Sequence, residues 1–183
     1  MPNYIDTPGA HTIHGSNVDD FIQGNDGADI LYGEDGNDTI YGGTACGATD
    51  PSNDKIYGGD GNDNLHGEAG NDTINGDEGD DYLYGEDGND TLSGGTGADT
   101  IYTGIGTDNV VAGTGSDVIY AALGKKTING GTGFDFLEIN RGTSGVGDTF
   151  VLNGPAAGNS DGSSTVSIEQ LRFYAGSGDD ENE

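Results

Sequence analysis

Basic residues are scarce in this chain of 183 residues, which carries five Lys and Arg against 33 Asp and Glu, for a formal net charge of -28. A groove for DNA or RNA needs a cationic surface, so the composition excludes nucleic-acid binding. No apolar run approaches the roughly 18 to 20 residues that span a bilayer, and the N-terminus lacks the basic and apolar regions of a cleavable signal. A single cysteine, Cys46, cannot form an internal disulfide, so a protein that works outside the cell needs another stabilising device.

Hydrophobic residues are also few, at 31% of the chain. Low hydrophobicity with a high net charge is typical of disordered chains, because too little apolar surface is buried to offset the conformational entropy. Nine Tyr, five Phe and a regular placement of aliphatic residues argue against disorder. We therefore interpret the acidic residues as ligands for a counterion rather than as a solvating surface.

Glycine is abundant, with 37 residues, and it marks a nine-residue repeat. In thirteen segments, position 8 is always aliphatic, position 6 is Asp in all but one, and position 4 is Gly in all but two. Seven extra residues, within 44–52, interrupt the period once. The segments begin at Gly15, Gly24, Gly33, Gly42, Gly58, Gly67, Gly76, Gly85, Gly94, Thr103, Ala112, Ala121 and Gly130. So regular a pattern indicates a repeat architecture.

Each repeat predicts a turn followed by a short strand. Glycines at alternate positions allow positive φ and a tight turn that exposes backbone carbonyl oxygens. The three residues after each Asp, such as those at 39–41, are expected to form a strand with the aliphatic side chain inward and both neighbours outward. Two repeats make one coil of about 18 residues, and the coils stack as two parallel sheets around the aliphatic rows. A single coil buries almost no apolar surface, so the array folds as a unit.

The segment Gly58–His66 resembles the RTX nonapeptide G-G-x-G-x-D-x-U-x, in which U is a large aliphatic residue. The resemblance covers residues 15–138, although several repeats carry Glu or Asp at position 2. It implies an all-β fold, a parallel β-roll or β-solenoid of nonapeptide half-coils with a C-terminal β cap, and it implies Ca²⁺ as the cofactor. We expect a capping half-coil at 1–14, capping strands within 139–175 and a disordered acidic tail at 176–183.

The same resemblance places each Ca²⁺ between turns one coil apart, held by the Asp at position 6 and by turn carbonyls near the Gly at position 4. Carboxylates stacked about 4.8 Å apart repel unless a cation lies between them, and Ca²⁺ takes six to eight oxygen ligands in flexible geometry. Every second repeat contributes to the same row. The long row comprises Asp20, Asp38, Asp63, Asp81, Asp99, Asp117 and Asp135, with Gly36, Gly61, Gly79, Gly97, Gly115 and Gly133. The short row comprises Asp29, Asp54, Asp72, Asp90 and Asp108, with Gly70, Gly88 and Gly106. The gaps within these rows predict at most roughly ten ions.

Four local features depart from the repeat. Lys126 takes the position of the next short-row Asp, where its ammonium is expected to occupy the place of the cation. The insertion at 44–52 is expected to bulge from one turn without changing the phase, and Cys46 within it has no neighbouring His or Cys that indicates catalysis. Near the N-terminus, Ile13 falls in the aliphatic register between two His, which favours a capping strand over a zinc site. Downstream, residues 148–152 and 165–174 are predicted to form longer capping strands.

The leading functional prediction is a secreted bacterial module that stays unfolded in a low-calcium cytosol and folds outside the cell as Ca²⁺ binds. The resemblance implies type I export through an uncleaved C-terminal signal. The tail at 178–183 lacks the apolar ending expected of that signal, which indicates a fragment or a cargo segment. The expected partners are calcium ions and either a larger parent polypeptide or an extracellular surface ligand.

Two alternative functions stay open. The first is an adhesion or ligand-binding module for carbohydrate, a surface polymer or ice, because aromatic residues share position 9 on one outer face. These residues are Tyr41, His66, Tyr84, Tyr102 and Tyr120. The second is an accessory domain of a secreted hydrolase whose catalytic domain lies elsewhere. The three His belong to no recognisable hydrolase or zincin motif, so the chain itself is not predicted to be an enzyme.

Overall fold

The computed structural model describes residues 1–44, 51–140, 149–152 and 168–174, and all the regular secondary structure within these ranges is β-strand. No helix long and apolar enough to cross a membrane occurs in them. The strands are β1 (Asn3–Ile5), β2 (Thr12–Ser16), β3 (Phe21–Gln23), β4 (Ile30–Asp35), β5 (Thr39–Tyr41), β6 (Lys55–Asp60), β7 (Asn64–His66), β8 (Thr73–Glu78), β9 (Tyr82–Tyr84), β10 (Thr91–Thr96), β11 (Thr100–Tyr102), β12 (Asp108–Thr114), β13 (Val118–Ala121), β14 (Lys125–Thr132), β15 (Asp135–Asn140), β16 (Thr149–Leu152) and β17 (Ile168–Tyr174).

Successive strands alternate between two parallel sheets, as expected if each repeat is half a coil. The odd-numbered strands form a nine-stranded sheet in the order β1-β3-β5-β7-β9-β11-β13-β15-β17. The even-numbered strands form an eight-stranded sheet that runs from β2 to β16. One strand from each sheet completes a coil, and about seven coils stack into a β-solenoid. The predicted all-β parallel solenoid is therefore confirmed.

The core lies between the two sheets and is built from the aliphatic residue at position 8 of each repeat. These residues pair with their equivalents one coil away, as Leu65 pairs with Leu83 and Ile56 with Ile74. All thirteen are at most 1% exposed. They are Ile22, Leu31, Ile40, Ile56, Leu65, Ile74, Leu83, Leu92, Ile101, Val110, Ile119, Ile128 and Leu137. Burying each such side chain contributes roughly 1.5–3 kcal/mol, so the aliphatic rows supply the hydrophobic part of the stability.

The two sheets differ in strand length. In the nine-stranded sheet, strands β3 to β11 span the three residues that the repeat predicts. In the eight-stranded sheet, β4, β6, β8 and β10 span six residues, because their pairing continues into the following turn. There Gly59 pairs with Asp77, and Asp60 pairs with Glu78. The prediction of three-residue strands is therefore wrong for this sheet.

Position 4 of the turns requires glycine for both conformation and space. Gly61 has a φ of 137°, and a Cβ built there would lie 1.8 Å from the carbonyl oxygen of Gly36 in the preceding coil. Position 2 is less restrictive, because Asp77 and Glu86 adopt the left-handed region there with φ of 74° and 64°. The departures from glycine at position 2 therefore fall where the turn accepts a side chain.

The insertion leaves the phase of the coils unchanged. Leu31 pairs with Ile56 across it, and 25 residues separate the equivalent Asp29 and Asp54, where 18 separate the members of an ordinary pair. The predicted continuity of the solenoid is confirmed. Cys46 belongs to residues 45–50, which lie outside the described part of the chain.

At its N-terminal end the solenoid begins with one strand in each sheet. Ile13 in β2 pairs with Leu31, which confirms the register predicted for it. Tyr4 in β1 pairs with Ile22 at the edge of the other sheet. The repeat pattern predicts one half-coil at 1–14, and β1 is an additional strand that it does not predict.

At the C-terminal end, β16 and β17 add one strand to each sheet. Strand β16 pairs with β14, and β17 pairs with β15. The register places Leu152 opposite Ile128 and Leu171 opposite Leu137, so the aliphatic positions continue into both strands. The rest of the predicted cap and the acidic tail fall on residues 141–148, 153–167 and 175–183, which lie outside the described ranges.

Candidate metal centre

The twelve position-6 aspartates lie in the two predicted rows, and each is at most 2% exposed. Within a row, the backbone N–H of each Asp except the last donates a hydrogen bond to Oδ1 of the Asp one coil later. The nitrogen of Asp63, for example, lies 2.8 Å from Oδ1 of Asp81. The N–Oδ1 distances are 2.7–3.1 Å along the long row and 2.8–3.0 Å along the short row. One carboxylate oxygen of each later Asp is thus committed to the backbone of its neighbour.

The second carboxylate oxygen has a different environment. In six row aspartates Oδ2 is buried and accepts no hydrogen bond from the described residues, and these are Asp38, Asp63, Asp81, Asp90, Asp99 and Asp117. A buried carboxylate oxygen without a partner is costly, because it loses its hydration and receives nothing in return. These oxygens mark the positions at which a cation would find its carboxylate ligands.

Carbonyl oxygens of the turns lie in the same gaps between coils. The carbonyl oxygen of Gly36 lies against Gly61 of the next coil, and that of Gly61 lies against Gly79, so close that a Cβ has no room. Carboxylate and carbonyl oxygens are the hard ligands that Ca²⁺ collects in sets of six to eight. The donor set of the rows therefore fits Ca²⁺ better than a metal that prefers thiolate or imidazole ligands.

The pKa values of the row aspartates follow from their burial. Burial, with added repulsion from Asp63 and Asp99, raises the pKa of Asp81 to about 7. Burial is also the main cause that raises the pKa of Asp90 and of Asp117 to about 7. The hydrogen bond at Oδ1 lowers each of these pKa values but does not offset the burial. Without a cation, these three aspartates therefore take up protons near neutral pH.

The short row ends at a buried lysine. Lys126 pairs with Asp108 in the strand register and is 0% exposed. Its Nζ donates to Oδ2 of Asp108 and to the carbonyl oxygens of Gly104 at 2.9 Å, Gly106 at 3.1 Å and Leu123 at 3.1 Å. The ammonium is thus surrounded by one carboxylate and three turn carbonyls. It lies where the sequence analysis expected a substitute for the cation.

His11 lies one coil before Asp29, the first member of the short row. The backbone nitrogen of His11 lies 2.8 Å from Oδ1 of Asp29, and its Nδ1 lies 2.8 Å from Oδ2 of Asp6. One ligand atom from each of these three residues lies within 4.8 Å of the others. His14 is directed elsewhere, since its Nδ1 contacts Oε1 of Glu34 at 2.7 Å. The structure therefore does not join His11 and His14 in a paired-His zinc site.

A second hydrogen-bond ladder runs beside the aspartate rows at position 5, and the sequence analysis missed it. Here a side-chain oxygen accepts the backbone N–H of the next coil, as Oδ1 of Asn37 accepts from Asn62 at 2.8 Å. Oδ1 of Asn62 accepts in turn from Asp80 at 2.9 Å. Unlike the rows, this ladder is exposed. The recurrence of Asn or Asp directly before the row Asp was the signal that could have predicted it.

The aromatic residues at position 9 stack along the outer face of the nine-stranded sheet. Ring centroids lie 4.4–4.8 Å apart from Tyr41 through His66, Tyr84 and Tyr102 to Tyr120, with interplanar angles of 1–12°. The predicted ladder is therefore confirmed. A shorter ladder on the eight-stranded sheet was not predicted, and it comprises His14, Tyr32 and Tyr57.

The comparison with protein families gives one match. A family model described as the RTX calcium-binding nonapeptide repeat (4 copies) matches the chain at residues 14–44, 49–83, 66–101, 75–110, 84–119 and 102–137. These matches include every aspartate of both rows. A search of curated proteins finds no match to the chain.

Proposed function

The chain belongs to the RTX calcium-binding nonapeptide repeat family, its repeats form a calcium-binding structural module, and we propose that this module folds as Ca²⁺ binds between its coils. The observation that carries the proposal is the pair of buried aspartate rows. In every row aspartate except Asp20, Oδ1 accepts a backbone N–H of the preceding coil, while six of the Oδ2 atoms have no hydrogen-bond partner in the described residues. Ca²⁺ supplies the positive charge and the coordination that these oxygens require.

Each gap between two row aspartates is assigned one ion. Its ligands are the two carboxylates, one coil apart, together with turn carbonyls near the position-4 glycines. Seven aspartates leave six gaps in the long row and five leave four in the short row, so the module takes at most roughly ten ions. Divalent ions at these places would cancel most of the net charge of -28.

Folding and calcium binding occur together in this proposal, because the folded rows are not stable without the ion. Without the ion, buried carboxylates repel one another and lose their hydration. The aliphatic core is a single residue wide in each sheet, so its burial does not offset that cost. An ion that binds the folded rows and not the unfolded chain supplies the missing free energy.

The cellular setting follows from the calcium requirement. RTX repeats are typical of secreted bacterial proteins. We place the unfolded chain in the low-calcium cytosol, where it suits passage through an export channel, and the folding step outside the cell. The module then acts as a structural and secretion-assisting part of a secreted protein, by the type I route, with no catalytic role of its own.

Circular dichroism during a calcium titration tests the proposal. The chain should give an unfolded spectrum in excess chelator and gain β-structure cooperatively as Ca²⁺ is added. Mg²⁺ is the control, and it should not replace Ca²⁺, because it requires a tighter octahedron and keeps its water. A chain that is as folded in excess chelator as in calcium would contradict the proposal.

The aromatic ladder favours a second candidate function, the binding of an extracellular ligand on the calcium-ordered solenoid. Its rings are stacked in parallel planes along the outer face, and a cleft of about 340 Å³ lies beside Tyr102, Tyr120 and Glu138. A row of aromatic ring edges and phenol hydroxyl groups next to an acidic group suits the C–H and hydroxyl groups of a carbohydrate.

A glycan array in calcium tests this second function. The double variant Tyr84→Ala/Tyr102→Ala should lose binding, whereas Tyr57→Ala, which removes a stacked ring from the other sheet, should keep it. Calcium-dependent circular dichroism must first show that all three proteins fold. Retained glycan binding by the folded double variant, or no binding by the unaltered chain, would exclude this use of the ladder.

A further inference from the structure

Lys126 is the residue that breaks the pattern of the buried rows. Position 6 carries Asp in twelve segments and Lys in one, and that Lys is 0% exposed. Lys55 and Lys125, by contrast, lie exposed at the surface. A buried ammonium loses its hydration, so it persists only where oxygen atoms of the protein replace the water.

Four oxygen atoms do so here, and they come from two successive turns. Gly104, Gly106 and Asp108 belong to the earlier turn, and Leu123 belongs to the turn that carries Lys126. A carboxylate from one coil and carbonyls from both coils form the kind of oxygen set expected around a hard cation between two coils. The ammonium therefore lies in the next gap of the short row.

The hydrogen-bond pattern shows that this gap is equivalent to the one before it. The nitrogen of Gly106 donates to the carbonyl oxygen of Leu123, as that of Gly88 donates one coil earlier to Ile105. Oδ2 of Asp108 contacts the ammonium, whereas Oδ2 of the equivalent Asp90 has no hydrogen-bond partner within the described ranges. The two gaps thus have the same backbone and differ in whether the chain itself provides the cation.

We propose that Lys126 is an internal, covalently attached cation that fills the gap after Asp108, at the end of the short row, in place of Ca²⁺. The proposal rests on the calcium-binding function proposed above and adds a limit to it. The gap between Asp108 and Lys126 takes no metal, and its coil contact is independent of the calcium concentration. Lys126 is therefore the residue that determines where the short row stops binding calcium.

The test is the calcium stoichiometry of the full chain, measured by equilibrium dialysis at saturating Ca²⁺. Lys126→Asp restores the repeat and should bind one more ion per chain than the unaltered protein. Lys126→Asn removes the ammonium but offers an amide nitrogen in place of the second carboxylate oxygen, so it should gain no ion. Lys125→Asp is the matched control, since it makes the same charge change at an exposed neighbouring position, and its stoichiometry should not change.

The outcomes separate the two proposals. If the unaltered chain binds no calcium, the function proposed above fails. If the unaltered chain binds calcium and the folded Lys126→Asp protein binds the same number of ions, only the role of Lys126 fails, and the residue is a structural ion pair. A Lys126→Asp protein that stays unfolded at saturating calcium would also overturn this role, because Ca²⁺ would then be unable to take the place of the ammonium.

Discussion

Replacing Asp81 with asparagine should have opposite effects on stability with and without calcium. Asp81 lies in the middle of the long row, where its Oδ1 accepts the N–H of Asp63 and its own N–H donates to Oδ1 of Asp99. Asparagine keeps the acceptor oxygen and the backbone donor, so the hydrogen-bond ladder can persist. The substitution removes the negative charge and replaces Oδ2 with an amide nitrogen, which cannot bind a cation.

The magnitude follows from the position of Asp81 between two gaps. A ligand at a concentration one hundred times its dissociation constant stabilises the folded state by about 2.7 kcal/mol per site. Loss of both neighbouring ions would therefore cost about 5 kcal/mol in saturating calcium. In ion-free buffer the sign reverses, because burial raises the pKa of Asp81 to about 7 and the carboxylate is a liability at neutral pH. There the variant should be more stable than the unaltered chain.

Urea unfolding followed by circular dichroism measures both effects. One series is run in saturating calcium, and the other in ion-free buffer with trimethylamine N-oxide to bring the transition into range. Asp80→Asn is the control, because it makes the same charge change at the neighbouring residue. Asp80 is exposed, and its Oδ1 also accepts a backbone N–H. Equal losses for Asp80→Asn and Asp81→Asn in calcium, or a loss for Asp81→Asn in both buffers, would refute the assignment of cation ligands to the row.

Three further predictions concern acid, the core and the turns. In ion-free buffer, burial raises the pKa of six row aspartates to about 6 or 7, against about 3.9 in the unfolded chain, so the folded state binds more protons between about pH 4 and 7 and its stability should rise as the pH falls through this window. Circular dichroism should show a gain of β-structure as the pH falls, with sedimentation as the check for aggregation, and a chain that gains none would contradict the prediction. Leu83→Ala should cost roughly 2–5 kcal/mol of unfolding free energy in calcium, against little for Ile105→Ala, which removes a half-exposed side chain; similar costs in urea unfolding would count against the core assignment. Gly61→Ala should lower the thermal midpoint, since its Cβ would meet the carbonyl oxygen of Gly36. Asp77→Gly, at a φ of 74°, should raise the midpoint or leave it unchanged. A Gly61→Ala protein with an unaltered midpoint would mean that the turn has room to adjust.

The solenoid and its two aspartate rows could be predicted from the sequence because both are properties of side chains at fixed positions. An aliphatic residue such as Leu83 and an aspartate such as Asp81 occur in every nine-residue repeat. The period alone therefore places the first on the inner face and the second in the turn. The insertion did not obscure this, since Ile56 resumes the aliphatic row in phase with Leu31.

Other features depend on backbone pairing and on backbone carbonyl groups, and they cannot be predicted from the residue type. The pairing of Gly59 with Asp77 extends the strands of one sheet into the turn, although glycine and aspartate are poor strand formers. Strand β1 contains only three residues, too few to show a repeat. The four oxygen atoms around Lys126 come mainly from backbone carbonyls, which every residue has, so the sequence could suggest a cation there but not its ligands.

The hydrogen bonds of the buried rows also affect the order in which coils can be completed during synthesis. Except for the last member of each row, the N–H of a row aspartate donates to a carboxylate that lies later in the chain, eighteen residues on for Asp63 and twenty-five for Asp38. A chain that emerges from the ribosome with its N-terminus first therefore cannot finish any coil until the following coil has also emerged. During synthesis the leading coils always wait for a partner, whatever the concentration of calcium around them.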